Sequence, residues 1–196
     1  MKRSELKELH FITRIDSLAS ILELGILSNK LAQKVKHASI ADSEIQGRRS
    51  TVVVPGGRQL HEYTNLYICG RNPMLRKRRH QHAEICVLRV STDVLDLAGV
   101  VIADANASSD YVRFAAAPNG LQIVDRELTF AEYWTDADER TYWKKKSAKC
   151  AEVLVPDCID PKYILGCYVS CEESRKSVNE LVPELNAAVD AHLFFL

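Results

Sequence analysis

Glu152 is the residue in this sequence that most invites chemistry. It lies in Ala151-Glu152-Val153-Leu154-Val155, a run that reads as a strand and stops at Pro156. Carboxylates are depleted in strands. Alternation puts Glu152 on one face with Leu154, while Ala151, Val153 and Val155 point the other way. A carboxylate held on a rigid strand in partly apolar surroundings is placed as a catalytic group would be. An edge-strand charge facing solvent gives the same pattern, and the residues alone leave both readings open. The second feature is basic: Arg76-Lys77-Arg78-Arg79-His80-Gln81-His82, with Arg48-Arg49 and Lys144-Lys145-Lys146 elsewhere. A local patch can bind phosphates even though 26 basic and 26 acidic residues balance to a net charge of +0. A solvated loop is the alternative. The stretch from His61 to Tyr67, followed by Arg71-Asn72-Pro73-Met74-Leu75, is dense in groups that suit phosphates and flipped bases, and equally suit packed turns.

Several chemistries are absent from the pattern. The 8 glycines form no G-x-G pair, so the sequence has neither a Rossmann dinucleotide loop nor a P-loop. There is no H-E-x-x-H, no G-x-S-x-G elbow and no local Cys-His arrangement. The 6 cysteines contain no C-x-x-C, and several lie in apolar strand-like runs. They are expected to be reduced, buried thiols of a cytoplasmic protein, with no metal. His80 and His82 lack the spacing logic of a nuclease. No run approaches the roughly 18–20 apolar residues of a membrane span, and no apolar stretch follows the basic N-terminus as a secretory signal requires.

The elements that must position these residues follow from periodicity. Leu9 to Thr13 reads as a strand. Asp16 is expected to cap a short helix with Leu18, Ile21 and Leu22 on its apolar face, and Gly25 to end it. Asn29 to Arg58 is weakly periodic and ends in Val54-Pro55-Gly56-Gly57, a long irregular stretch of the kind that carries function. Leu66–Cys69, Glu84–Val90 and Val100–Ala103 read as strands, which leaves the basic run on a loop. Thr129 to Lys149 reads as broken helix, Tyr163–Val169 as a strand, and Ser170 with Glu173 as a capping box for a last helix from about Cys171 to Leu181. Strands and helices mix without βαβ alternation, so the expected class is α+β, as a single domain over residues 1–196.

Five features in order resemble the DarT family, toxins of the DarT–DarG systems that use NAD to ADP-ribosylate bases in single-stranded DNA. The first is Phe11-Ile12-Thr13-Arg14-Ile15-Asp16-Ser17-Leu18 with Ile21-Leu22 and Gly25-Ile26-Leu27-Ser28. The others are Ile45-Gln46-Gly47-Arg48-Arg49, Pro55-Gly56-Gly57 with Leu60-His61-Glu62-Tyr63, Arg71-Asn72-Pro73-Met74-Leu75, and Glu152-Val153-Leu154-Val155. The resemblance covers most of the chain. Arg14 stands where many members carry His, and Leu66-Tyr67-Ile68-Cys69 replaces an aromatic triplet of one branch, a difference that points toward guanine rather than thymine.

The resemblance implies a PARP-like ADP-ribosyltransferase fold, a small split β-sheet core with flanking helices and NAD, the co-substrate, in its cleft. Glu152 would bond the nicotinamide ribose, stabilise the oxocarbenium character left when nicotinamide departs, and accept a proton from the attacking base. Arg49 would share the catalytic work, and a guanidinium there suits phosphate or base. His10, Ile12, Thr13, Arg48 and Tyr67 would bind NAD. Arg71, Asn72 and Met74 would shape the base pocket, and Arg76, Arg78 and Arg79 would guide the strand's phosphates. The implied partners are single-stranded DNA and a macrodomain antitoxin that reverses the modification, with the enzyme a cytoplasmic monomer and no membrane involved. RNA or protein as the target, or a non-catalytic nucleic-acid module, are the rival expectations.

Overall fold

The apolar runs of the sequence become strands that pair over long distances. The computed structural model describes residues 1–35 and 47–196, so Ile45 and Gln46 of the second motif lie outside the described residues. The strands are β1 (Leu9–Arg14), β2 (Ile26–Leu27), β3 (Tyr63–Tyr67), β4 (Ile85–Val90), β5 (Val101–Ala103), β6 (Phe114–Ala116), β7 (Glu152–Pro156), β8 (Cys158–Ile159), β9 (Ile164–Val169) and β10 (Ala187–Val189). An 8-stranded sheet has the order β10-β9-β4-β1-β3-β7-β5-β6, and β2 pairs with β8 apart from it. All pairings are antiparallel except β9 with β10.

The sheet is split in its middle. β1 pairs with β4 along its whole length, from Leu9↔Val90 to Arg14↔Ile85. β3 pairs with β7 from Tyr63↔Pro156 to Tyr67↔Glu152. Between these ladders, β1 and β3 share only the pair His10↔Tyr67. The packing repeats the division. One face carries a continuous core that includes Leu9, Leu66, Leu88, Val153, Val155 and Val169, covered by Leu18 and Val178 from the flanking helices Leu18–Leu24 and Glu172–Leu181. The other face carries two separate clusters. Ile12, Ile85, Val87, Leu75 and Phe194 gather on the β1–β4 side, and Leu60, Tyr63, Ala103 and Leu154 on the β3–β7–β5 side. Glu152 is on this divided face with Leu154, as alternation requires.

Some local expectations are corrected. The basic run is helical rather than loop, as the helix Pro73–Lys77 and the 3-10 turn Arg79–Gln81. Asn72 Oδ1 accepts from Leu75 N at 3.0 Å, Pro73 occupies the first turn, and Leu75 is buried, a capping signal that nucleates a short helix. Asp16 caps nothing, because Arg14 Nε holds its carboxylate at 2.9 and 3.1 Å and the chain enters its helix through the 3-10 turn Ile15–Ser17. Ser170 does not cap either. Its Oγ donates to the His82 carbonyl at 3.0 Å, and Cys171, at the cap position, makes no side-chain capping bond, its Sγ lying instead 3.2 Å from Ser174 Oγ. β3 begins at Tyr63 and ends at Tyr67, so Ile68 and Cys69 lie beyond it. The 129–149 region divides as expected, here into Arg126–Phe130 and Glu139–Ala148.

Glu8 ties three adjacent strands together. Its carboxylate accepts from Arg89 Nε and the Tyr168 hydroxyl, each at 2.8 Å, with His10 Nε2 at 3.5 Å. Burial pushes the carboxyl up, but the bonds from His10, Arg89 and Tyr168 outweigh it and hold the group at about 2. The folded value lies below the ordinary 4.5, so the contribution is present above pH 4.5 and is lost as pH falls toward 2. Acid titration followed by circular dichroism should show Glu8→Gln with a smaller loss of stability over that window than the parent. Gly25 ends its helix at φ +86°, and a Cβ there would lie 2.4 Å from the Ile159 carbonyl oxygen. Gly25→Ala should therefore cost about 1–3 kcal/mol in chemical denaturation.

Candidate active site

The split creates the site. Where β1 diverges from β3, a cavity of about 1290 Å³ opens, with Ile12 and Thr13 on one wall and Asn65, Tyr67 and Glu152 on the other. That exceeds the roughly 300–1,000 Å³ of ordinary ligand pockets, so a dinucleotide and part of a second reactant fit together.

Glu152 begins β7, an inner strand between β3 and β5, which rules out the solvent-facing edge reading. Only 1% of it is exposed. Its Oε1 accepts from the Ala107 backbone N–H at 3.2 Å. Arg49 Nη1 donates to Oε2 at 3.0 Å and Oε1 at 3.3 Å. Arg49 comes from residues 47–49, which are helical, and is itself 5% exposed. Its Nη2 is buried with no partner among the described residues. A buried ion pair gives up hydration that Coulomb attraction only partly restores, so this pair is poor as a stabilising device and well made as a charged reagent in a dry site.

The neighbours of Glu152 remain protonated. Tyr67 faces it across the β3–β7 ladder, and burial, with the charge of Glu152, pushes its hydroxyl well above the ordinary value. Burial and then Glu152 push the Cys150 thiol to about 12. Tyr67 is thus a neutral hydrogen-bonding group, and Cys150 is excluded as a nucleophile because the thiolate is the reactive form.

Of the residues singled out in the sequence, Ile12, Thr13, Arg48, Arg49, Tyr67, Met74 and Glu152 all line this cavity. The rest do not. His10 is turned toward Glu8 and against Gly70, and its Nδ1 is buried with no partner among the described residues. Arg71 donates to the carbonyls of His192 and Glu132 at 3.0 and 3.1 Å and stacks 4.1 Å over Phe195. Asn72 is fully buried, capping its helix and donating to the Cys69 carbonyl at 3.0 Å. Arg76 lies over Trp134 and Phe195, and Arg78 and Arg79 are off the wall. From the basic run, Lys77 reaches the cavity, and Ser108, Tyr111, Trp143 and Lys146 complete its rim. The lysine run and the aromatics near 143 were visible in the sequence. The 106–111 loop carries no signal there.

Removing one member of the buried pair strands the other. Glu152→Gln and Arg49→Met should each lower stability by about 3–5 kcal/mol. The double variant should cost clearly less than their sum in chemical denaturation.

A family model described as ssDNA thymidine ADP-ribosyltransferase, DarT, matches residues 10–194. A DNA ADP-ribosyl transferase–DNA ADP-ribosyl glycohydrolase fusion protein of Thermosipho africanus is 32% identical over 97% of this chain. The chain spans 50% of that protein's length. A DNA ADP-ribosyl transferase of Thermus sp. strain 2.9 is 33% identical, over 79% of this chain and 78% of its own. Among solved structures, Thermosipho africanus DarTG in complex with ADP-ribose superposes with a TM-score of 0.85 at 29% identity, over 97% of this chain and 51% of that one. Thermus sp. 2.9 DarT in complex with ADP-ribosylated ssDNA gives a TM-score of 0.79 at 27% identity, over 99% of this chain and 100% of that one. The split sheet with its central carboxylate is thus a PARP-like ADP-ribosyltransferase fold, and the chain belongs to the DarT family.

Proposed function

We propose that this chain transfers ADP-ribose from NAD to a base in single-stranded DNA, with thymidine as the acceptor that the family description names. The observation that carries the reading is Glu152, buried at the sheet split and opening onto a cavity large enough for both reactants. NAD supplies an anomeric carbon that takes on cationic character as neutral nicotinamide leaves. Glu152 provides the fixed negative charge that stabilises this centre, and its strand spares any reorganisation during the reaction. The same carboxylate takes the proton released by the attacking base. Arg49 holds the Glu152 carboxylate in position, and its Nη2, unpartnered among the described residues, is a donor for a phosphate or a base carbonyl. Arg48 supplies a second guanidinium for phosphate, while Thr13, Ile12 and Tyr67 form the wall against which the nicotinamide half rests. Met74 shapes the base pocket, and Lys77 and Lys146 receive the strand's phosphates.

The neighbours support the partners of this reading. The Thermus protein was solved with ADP-ribosylated ssDNA, and another of its structures holds carba-NAD+. The Thermosipho relative is fused to a DNA ADP-ribosyl glycohydrolase. We infer that a macrodomain hydrolase of that kind removes this chain's product and acts as its antitoxin. No helix among the described residues is long and apolar enough to cross a membrane, and a cytoplasmic location, where single-stranded DNA and NAD are both present, belongs to the same proposal.

Labelled NAD with single-stranded oligonucleotides of defined base content tests the reading. Thymine-containing strands should be labelled and thymine-free strands should not. Glu152→Ala and Arg49→Ala should reduce transfer by about 10²–10⁴-fold. Label on guanine, RNA or protein would reassign the acceptor, and no transfer to any acceptor would overturn the proposal. Lys77→Glu should weaken oligonucleotide binding and reduce the salt slope by about 1. An unchanged affinity in a salt titration would remove Lys77 from the strand's path.

A further inference from the structure

Lys149 is an unusual core residue. It follows the helix Glu139–Ala148 as its C-cap and is 1% exposed. Its Nζ lies 3.2 Å from Cys69 Sγ and 3.0 Å from the Thr129 carbonyl oxygen. Among the described residues no carboxylate pairs with it. A lysine side chain is long enough to reach solvent from most positions, and a buried cation with no counter-charge costs several kcal/mol. Packing alone would favour an apolar residue here. Cys69 is 8% exposed, so its sulfur lies just beneath the surface.

We propose that Cys69 and Lys149 form an oxidative cross-link site, in which a peroxide joins the sulfur and the amine nitrogen through one bridging oxygen. In the first step the Cys69 thiol and one hydrogen peroxide give the sulfenic acid and water. In the second, the Lys149 ammonium gives one proton to solvent and the resulting neutral amine bonds to the sulfenic oxygen. One N–H and the sulfenic O–H are lost, a second peroxide takes up the two electrons, and two waters leave. Sulfur and nitrogen are each oxidised by two electrons, and each peroxide is reduced by two. Geometry favours the oxygen bridge, since a single oxygen spans most of the present 3.2 Å whereas a direct S–N bond requires a far larger approach. The nearby Cys150 does not compete for the sulfenic acid, because burial and Glu152 raise its thiol to about 12 and leave almost no thiolate to attack. The link would join the segment leaving β3, two residues after Tyr67, to the segment entering β7, three residues before Glu152.

The test is intact mass and peptide mapping of the full chain after graded peroxide treatment. The expected result is a gain of about 14 Da, one oxygen gained and two hydrogens lost. Peptides carrying Cys69 and Lys149 should be joined, trypsin should no longer cut after Lys149, and a thiol reductant should restore the original mass. Cys69→Ser and Lys149→Arg should not gain it. A gain of about 16 Da confined to Cys69 would overturn the proposal. So would a Cys69–Cys150 disulfide, a direct S–N link, or the same gain in Lys149→Arg. Mapping of the unsubstituted chain decides the matter even where a variant fails to fold.

Discussion

The constraint on which the rest of this structure depends is that a carboxylate buried inside a protein core must find polar partners there. Glu152 meets it with one guanidinium and one backbone N–H. Each provider needs its own scaffold. β7 must be an inner strand so that Glu152 does not fray toward solvent, and the loop carrying Ala107 must fold back over the β5 side. Residues 47–49 must bring Arg49 in from a segment remote in sequence. The two-sided core answers this demand: the continuous apolar face supplies the rigidity, and the divided face leaves room for polar groups at the division.

Much of this was legible in the residues. Glu152 stood out because a charge in an apolar strand contradicts the local pattern, and its face followed from alternation. Its burial was not legible, since an edge strand and an inner strand have the same sequence until their neighbours are known. The long strands could be read, whereas β2, β6, β8 and β10, of two or three residues each, are too short to show a period. Asp16 and Ser170 have the chemistry of caps but were taken by competing partners, Arg14 and His82, which only the tertiary structure brings close. The helix Pro73–Lys77 did have a signal, Asn72-Pro73, which the density of basic charge obscured.

The segment from Arg71 to Arg79 shows how one motif divides its labour. Arg71 and Arg76 lie against the C-terminal residues His192 and Phe195 and against Trp134, while Asn72 is buried, capping the helix and bonding the Cys69 carbonyl. They fix the helix. Met74 and Lys77, one turn apart, are then presented to the cavity. A motif resemblance identifies such a segment as a unit, but it does not separate the side chains that touch a ligand from those that hold the segment still. In this chain Arg71 and Arg76 are of the second kind, held in cation–π contacts with Phe195 and Trp134.

The single pair His10↔Tyr67 also has a mechanical meaning. A ladder of many rungs resists shear, whereas one rung acts as a pivot. The two half-sheets can rock about that point without breaking any other strand pairing, since β1 stays bonded to β4 and β3 to β7. Any rocking about that point would change the width of the cleft while both ladders stay intact. Tyr67 sits on the pivot and is paired with Glu152 on its other side, so the carboxylate lies near the axis of rotation and moves least. The fold thereby separates the part whose width can vary from the part that holds the carboxylate in place.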